Sequence, residues 1–309
     1  MTTLERRPLG GTGLEVTPVC LGGGVLGSMP SIFGYDVPAE QGIATVRAAL
    51  ESPINFLDTS AGYSDGESER RVAAALAEVG GLPEGHVLAT KVDPDPETGE
   101  FDGPAVRRSA EASLERLGLE RFQLLHLHDP EGIGFEAAMA PGGAVHALLA
   151  LKEEGLAEHL GVAGGDIELM RQFVRTGAFE VVLTHNRFTL VDQSATPLLD
   201  EATGAGVAVL NAAPFGGGIL AKGPEALRKY AYADAKPDVL ERVRAMATLC
   251  AEAGVPLGAA ALQFSTRDPR ITSTVVGMSS PERVEQAVDW ATWPIPDDLW
   301  QALSPLTKD

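Results

Sequence analysis

Basic residues are scarce in this chain: 24 lysines and arginines stand against 43 aspartates and glutamates, a formal charge of −19. Binding to nucleic-acid phosphates needs clustered Lys and Arg, and no such cluster occurs, so a nucleic-acid partner is excluded. Cysteine is scarcer still. Cys20 and Cys250 lie too far apart in sequence to form a metal-ligand pair, read as buried apolar fillers, and suit a reducing cytosol. Long hydrophobic runs are missing as well: no stretch approaches the length of a membrane span, and residues 1–8 lack the apolar core of a signal peptide. The expectation is a soluble cytoplasmic protein with no membrane partner. No linker or solenoid-length repeat breaks the chain, so residues 1–309 read as one domain, and 44% hydrophobic content is enough to fill one large core.

What the chain does contain is a repeated alternation. Short β-branched or apolar runs at 19–22, 54–58, 87–91, 122–128, 159–162, 181–185, 207–211 and 273–276 read as strands. Ala-rich helical segments come between them at 38–52, 67–79, 103–117, 144–154, 167–176, 196–204, 239–253 and 281–290. Strand then helix, eight times over without a composition break, predicts a closed (β/α)8 TIM barrel, in which functional groups gather at the C-terminal strand ends. The opening Leu9-Gly10-Gly11-Thr12-Gly13-Leu14-Glu15-Val16 predicts a β-hairpin closing the barrel floor.

Four chemically distinct side chains fall at those predicted strand ends. Asp58 ends the second strand with Tyr63 five residues on, Lys91 ends the third, and His126 and His128 end the fourth. An acid, a phenol, an ammonium and an imidazole at neighbouring strand tips suit proton transfer coupled to carbonyl reduction or its reverse. A free tyrosine, with a pKa of about 10, is a poor proton relay near neutrality, and a nearby ammonium favours the phenolate. His126 and His128 share one strand face; the position before Asp129-Pro130 favours His128 for chemistry and assigns His126 to an inner barrel layer. His159 and His185 lack a third ligand at suitable spacing, so no metal site is expected. Asp58 and Glu69 have no partner acid at a strand tip, which argues against a hydrolytic carboxylate pair.

Residues Gly22 to Gly27 spell GxGxxG after a strand, the fingerprint of a doubly wound dinucleotide fold. That loop must lead straight into a helix, and Pro30, Gly34 and Pro38 break the adjoining segment. A glycine loop beside a ligand, with Gly23 touching it, is the preferred reading.

Asp58-Thr59-Ser60 with Tyr63, then Gly66 and Glu69, then Thr90-Lys91, then Leu127-His128 with Pro130 together resemble the aldo-keto reductase family, barrel enzymes that use a nicotinamide cofactor. The resemblance extends to Val275-Val276-Gly277-Met278-Ser279-Ser280-Pro281-Glu282-Arg283 and so covers nearly the whole chain. It implies that Tyr63 is the general acid or base, Lys91 the charge that tunes it, Asp58 the partner of Lys91, and His128 the residue that orients the substrate oxygen. It also implies NADP or NAD as cofactor and a small carbonyl or sugar as substrate. A cofactor-binding sensor or regulatory subunit on the same barrel is the alternative, and the complete set of four favours an enzyme.

The cofactor positions depart from the family pattern. Gly161-Val162-Ala163-Gly164-Gly165 replaces the Ser-Asn that grips the nicotinamide amide, and His185 or Asn186 can substitute, although Asn186 equally suits a turn. The seventh strand ends in Asn211-Ala212-Ala213-Pro214-Phe215-Gly216-Gly217-Gly218, without the family's stacking tyrosine. The run from Pro214 to Leu220 suits backbone amides approaching a pyrophosphate. Gly277 and Ser279 precede a helix N-terminus able to hold an anion. Arg283 matches the family residue that contacts the adenosine 2′-phosphate, or is a solvated helix arginine, leaving NADP against NAD open. Leu127-His128-Asp129-Pro130 and Asn-Ala-Ala-Pro-Phe resemble the branch of aldose 1-dehydrogenases and pyridoxal dehydrogenase. Asp129 can accept hydrogen bonds from hydroxyls or cap its loop. Trp290, Trp293 and Trp300 fit packing beside the last helices better than sugar stacking. The favoured direction and the oligomeric state are not legible.

Overall fold

The computed structural model describes residues 3–231 and 233–307. Eight parallel strands close into a barrel: β1 (Val19–Gly22), β2 (Phe56–Asp58), β3 (Val87–Val92), β4 (Phe122–His128), β5 (Ala157–Gly164), β6 (Val181–His185), β7 (Ala208–Ala212) and β8 (Ile271–Gly277), each paired with its sequence neighbours and β8 with β1. The ring outside is α1 (Ala39–Glu51), α2 (Glu67–Val79), α3 (Gly103–Leu117), α4 (Ala144–Glu153), α5 (Ile167–Arg175), α6 (Thr196–Gly204), α7 (Leu257–Thr266) and α8 (Pro281–Ala291).

Local chemistry sets several helix ends. The Asp102 carboxylate accepts from the Ala105 amide at the start of α3 (2.9 Å), and that of Asp166 from Leu169 at the start of α5 (2.9 Å). Gly66 and Gly80 bracket α2 in left-handed conformation. A Cβ on Gly66 would meet Arg116 Nε at 2.6 Å, and that guanidinium donates to the fully buried Glu69 at 2.6 Å. Glu69 also accepts from Thr90 and Ser113 (2.6 and 3.1 Å), so this carboxylate ties α2 and α3 to the residue before Lys91.

The two short strands Arg7–Pro8 and Glu15–Val16 pair as the expected hairpin. Leu9 and Val16 are fully buried in the same apolar cluster as Cys20, Phe56, Val87 and Ala208, which plugs the barrel floor. Both cysteines are free and buried, as expected of fillers.

Side chains alternate along each strand, so register decides which residues see the barrel axis. Leu124, Leu183, Leu210 and Ala212 belong to the inner cluster. His126 lies two positions beyond Leu124, and Lys91, paired with it, two beyond Ala89. His126 is completely buried as an inner-layer residue, and neither ring nitrogen has a hydrogen-bond partner among the described residues. Burial pushes its imidazole well below the ordinary value, and nearby Lys91 adds to this, so the ring is neutral.

Two elements differ from expectation. Leu257–Thr266, rather than the predicted 239–253 segment alone, packs against β8; its Leu-Gly-Ala-Ala-Ala-Leu sequence is apolar all round, the pattern of a buried helix without an amphipathic period. The predicted segment is present as Pro237–Glu252, and a last helix, Asp297–Thr307, packs on it. Among the described residues no single helix is long and apolar enough to cross a membrane; Pro237–Glu252 and Leu257–Thr266 qualify only as a pair bent by 102°.

The inner layer leaves no room at Gly161, where a Cβ would stand 2.2 Å from His126 Nδ1. Gly161→Ala is expected to lower unfolding stability by about 1–3 kcal/mol in urea titration, the usual cost of overpacking. An unchanged midpoint would show that the layer has slack.

Candidate active site

The mouth of the barrel brings Asp58, Tyr63, Lys91 and His128 together. Lys91, 1% exposed, donates through Nζ to Asp58 Oδ2 (2.7 Å), to the Thr59 carbonyl (2.7 Å) and to the Tyr63 hydroxyl (3.2 Å). Its ammonium also sits 4.6 Å from the Tyr63 ring centre. Burial alone would discharge the lysine, but the Asp58 carboxylate outweighs it and holds the ammonium above the ordinary lysine value. The Tyr63 and His128 rings meet edge to face at 5.5 Å.

One physical expectation is overturned. The sequence reading has the ammonium making Tyr63 acidic, whereas burial pushes the phenol above its ordinary value by more than Lys91 pulls it down, and Asp58 adds to the rise. The neutral hydroxyl is therefore the resting form, a hydrogen-bond donor with an ammonium behind it.

Sequence reasoning missed Asp93. It lies two residues after Lys91, on the same strand face by the period of two, and the identical argument links His126 to His128. Its Oδ1 lies 2.6 Å from His128 Nδ1, and its Oδ2 accepts from the Gly62 amide (2.7 Å) and from the Ser60 hydroxyl. Burial opposes ionisation of Asp93, but the charge and hydrogen bond of His128 prevail and lower its value; for His128 burial is likewise outweighed by Asp93, and its value rises.

Beside this cluster runs a cleft of about 880 Å³. Gly24 joins the two, since a Cβ there would lie 3.6 Å from the Tyr63 ring, and the next residue, Val25, lines the cleft. Lys222, Lys229 and Arg283 line it and, among the described residues, no carboxylate does, although acidic residues dominate the chain. Pro214, Phe215, Gly277 and Ser279 also line the cleft. Volume, cation lining and the glycine-rich backbone at Gly217 and Gly218 fit a nicotinamide dinucleotide, whose diphosphate would face the lysines. Lys222 and Lys229 escaped the sequence reading; the signal was three cations, Lys222, Arg228 and Lys229, within one short segment of an acidic chain. Among the described residues no group of three or more His, Cys, Asp or Glu forms a metal site.

Other expected contacts fall elsewhere. Asn211 points out of the barrel, because its neighbours Leu210 and Ala212 point in; its amide donates to the Phe188 carbonyl (2.8 Å) and Ser265 (2.7 Å), so it is withdrawn as a cofactor residue. Leu220 is buried in the apolar cluster under the C-terminal helices and does not face the cleft. Gly23 is pressed against the Asp58 carbonyl, 2.8 Å from where its Cβ would be, which is a packing constraint. Gly216 lies beneath Tyr230, whose ring would clash with a Cβ at 2.3 Å; the Tyr230 hydroxyl donates to the Asn186 carbonyl (3.1 Å). Asn186 itself is buried in left-handed conformation, its amide 3.3 Å from His185 Nδ1. The His185 ring occupies the space a side chain at Gly165 would fill (2.9 Å), and its Nε2 stands 3.5 Å from Asp129.

Comparison with known proteins agrees with this geometry. The aldo/keto reductase family model matches residues 18–307. Similar proteins include L-galactose dehydrogenase of Arabidopsis thaliana, 32% identical over 93% of this chain and 88% of the relative, and pyridoxal 4-dehydrogenase of Microbacterium luteolum, 30% identical over 97% and 96%. D-threo-aldose 1-dehydrogenase of a Pseudomonas species is 30% identical over 84% and 86%. In fold, an aldo-keto reductase from Bacillus halodurans solved in its holo form superposes with a TM-score of 0.77 over 99% of this chain and 97% of that one, at 21% identity. The chain belongs to the aldo/keto reductase family and is an NAD(P)-dependent oxidoreductase.

Proposed function

We propose that the enzyme interconverts a hydroxyl-bearing carbon and a carbonyl in a small cyclic aldose or related aldehyde, using the Tyr63, Lys91, Asp58 and His128 cluster. The observation that carries this is the buried Lys91 ammonium, fixed by Asp58 and directed at the Tyr63 hydroxyl beside a cation-lined cleft. The names of the three dehydrogenase relatives support the substrate class. Exposed Asp129 and half-exposed His185 add acceptors at the rim for sugar hydroxyls. The two free buried cysteines suit the cytoplasm.

A bound nicotinamide supplies the exchange of hydride with the substrate carbon. Lys222, Lys229, Gly277, Ser279 and Arg283 would hold the dinucleotide, with Pro214 and Phe215 against it, and His185 or Asn186 would approach the nicotinamide amide in place of the absent Ser-Asn. Tyr63 exchanges a proton with the substrate oxygen, and its neutral hydroxyl gives that oxygen a strong donor. Lys91 keeps positive charge behind the phenol and eases loss of its proton, and Asp58 keeps Lys91 charged and in place. His128 orients the same oxygen.

Tyr63→Phe is expected to lower kcat by about 10²–10⁴-fold, the usual contribution of acid–base catalysis, with cofactor Kd within about threefold by fluorescence titration. Near-normal turnover would overturn the role of Tyr63. Absorbance of the reduced nicotinamide, read with NAD and NADP against aldoses, pyridoxal and simple aldehydes, should show turnover with polyhydroxylated substrates; turnover of simple aldehydes alone would contradict the substrate class. Arg283→Ala should weaken NADP by about tenfold and NAD far less, as expected for one charge-assisted contact. Equal weakening would remove Arg283 from the 2′-phosphate.

A further inference from the structure

Most polar groups around the Tyr63 hydroxyl are already engaged. Asp93 lies 2.6 Å from His128 Nδ1 and accepts from the Gly62 amide (2.7 Å), Ser60 contacts both Asp93 and His128, and Asp58 is taken by Lys91. Asp129 is different. Its Oδ2 stands 3.8 Å from His128 Nε2 and its Oδ1 stands 3.5 Å from His185 Nε2, both beyond an ordinary N–H···O bond, and the side chain is exposed. The carboxylate next to the substrate-orienting histidine therefore keeps free accepting capacity.

An unusual backbone puts it there. Asp129 has φ 41° and ψ 57°, the left-handed region, directly before Pro130, where an extended conformation is the rule. Continuing β4 by the period of two would send this side chain to the face opposite His128; the left-handed turn brings it round beside Nε2 instead. The turn is anchored by the Asp129 amide, which donates to the Ala163 carbonyl of β5 (2.8 Å), and by the buried Pro130. On the far side, the Asn186 amide nitrogen stands 3.3 Å from His185 Nδ1 and can only donate, so neutral His185 carries its proton on Nε2, facing Asp129 Oδ1. Burial opposes ionisation of Asp129, but contact with His185 and the neighbouring His128 outweigh it, together with the repulsion of Asp93, and hold the carboxyl below its ordinary value. The ionised group accepts hydrogen bonds and cannot donate them.

We propose that Asp129 is a specificity-determining residue that accepts a hydrogen bond from the hydroxyl on the carbon next to the reacting one, making the enzyme selective for α-hydroxy substrates and, among aldoses, for those that carry a C2 hydroxyl. The proposal deepens the cyclic-aldose reading and rests on it. With the reacting oxygen on the Tyr63 hydroxyl and His128 Nε2, a hydroxyl on the adjacent carbon lies about one hydrogen-bond length away, and the 3.8 Å between Nε2 and Oδ2 lets the two oxygens sit side by side on the two groups. An anomeric carbon has the ring oxygen on one side, without a proton, and the C2 hydroxyl on the other, with one. An acceptor-only group takes the second and repels the first, so Asp129 sets which way round the ring enters and which face of C1 meets the cofactor. The contact transfers no proton, and Tyr63 keeps the whole of the proton exchange.

The test deletes the hydroxyl from the substrate and the carboxylate from the protein. Rates of nicotinamide reduction are measured with aldoses and with their 2-deoxy and 6-deoxy analogues, using NAD and NADP, for the wild type, Asp129→Ala and Asp129→Asn. Each comparison is a ratio of kcat/KM within one protein, so a general loss in a variant cancels. In the wild type, loss of the C2 hydroxyl should lower kcat/KM by about 10–100-fold, the worth of one hydrogen bond to a charged group, and in Asp129→Ala that ratio should fall below about threefold. Asp129→Asn keeps an acceptor and tolerates the left-handed backbone, so it should retain part of the preference. The 6-deoxy ratio should be the same in all three proteins. Equal wild-type turnover of an aldose and its 2-deoxy analogue would overturn the proposal whether or not the variants fold. An unchanged 2-deoxy ratio in Asp129→Ala, or a 6-deoxy ratio that shifts as much, would overturn it too. Turnover of other aldehydes with no aldose or 2-deoxy aldose accepted would overturn the cyclic-aldose reading and the proposal together; aldose turnover without discrimination at C2 overturns the proposal alone.

Discussion

The ion pair between Lys91 and Asp58 is the constraint on which the site depends. Removing an ammonium from water at a strand end costs several kcal/mol, and a buried lysine without a partner gives up its proton instead. Register supplies the partner: Asp58 pairs with Ala89, and Lys91 is the next inward residue beyond it, so the ammonium reaches across to the carboxylate of β2. Breaking such a pair from one side costs about 3–5 kcal/mol. The pair acts as a fixed positive charge under the phenol rather than as a source of net stability. Behind it, the buried Glu69 anchors α2 and α3 to Thr90, which holds the end of β3 where Lys91 needs it.

A second constraint is charge sorting. The chain carries a large negative charge, yet the cleft beside Tyr63 gathers three cations and excludes carboxylates. An anionic dinucleotide is repelled by most of this surface and attracted by one groove. The barrel mouth then divides labour by distance from water. Lys91 and Asp58 are buried, His128 and Asp93 are half-buried, and Asp129 and His185 stand at the rim.

Much of this was legible in the sequence because barrels repeat a simple pattern. Alternation of apolar runs and Ala-rich segments located all eight strands within about two residues, and strand-end logic placed Asp58, Tyr63, Lys91 and His128 at one mouth. Leu257–Thr266 hid because a helix buried on all sides has no period. Asn211 was misplaced for want of a parity argument: counting from Leu210 turns it outward, and the same count from Lys91 would have found Asp93. Leu220, in a glycine-rich loop, had no period to count, and its burial depends on helices far along the chain. The raised Tyr63 phenol was not legible at all, since it reflects how much water the fold removes, and side-chain identity alone favours the opposite direction. Tyr230 likewise reaches Gly216 through a separate two-stranded hairpin that no local pattern announced.

The most direct test of the central claim is the protonation state of Lys91 itself, read from the ¹³Cε shift of labelled lysine in the cofactor-free protein and assigned by Lys91→Met. A charged, Asp58-bound ammonium should show no titration up to pH 10.5, the ordinary lysine value. A midpoint below about pH 9, more than one unit beneath that value, would mean that burial has won over Asp58 and would contradict the account.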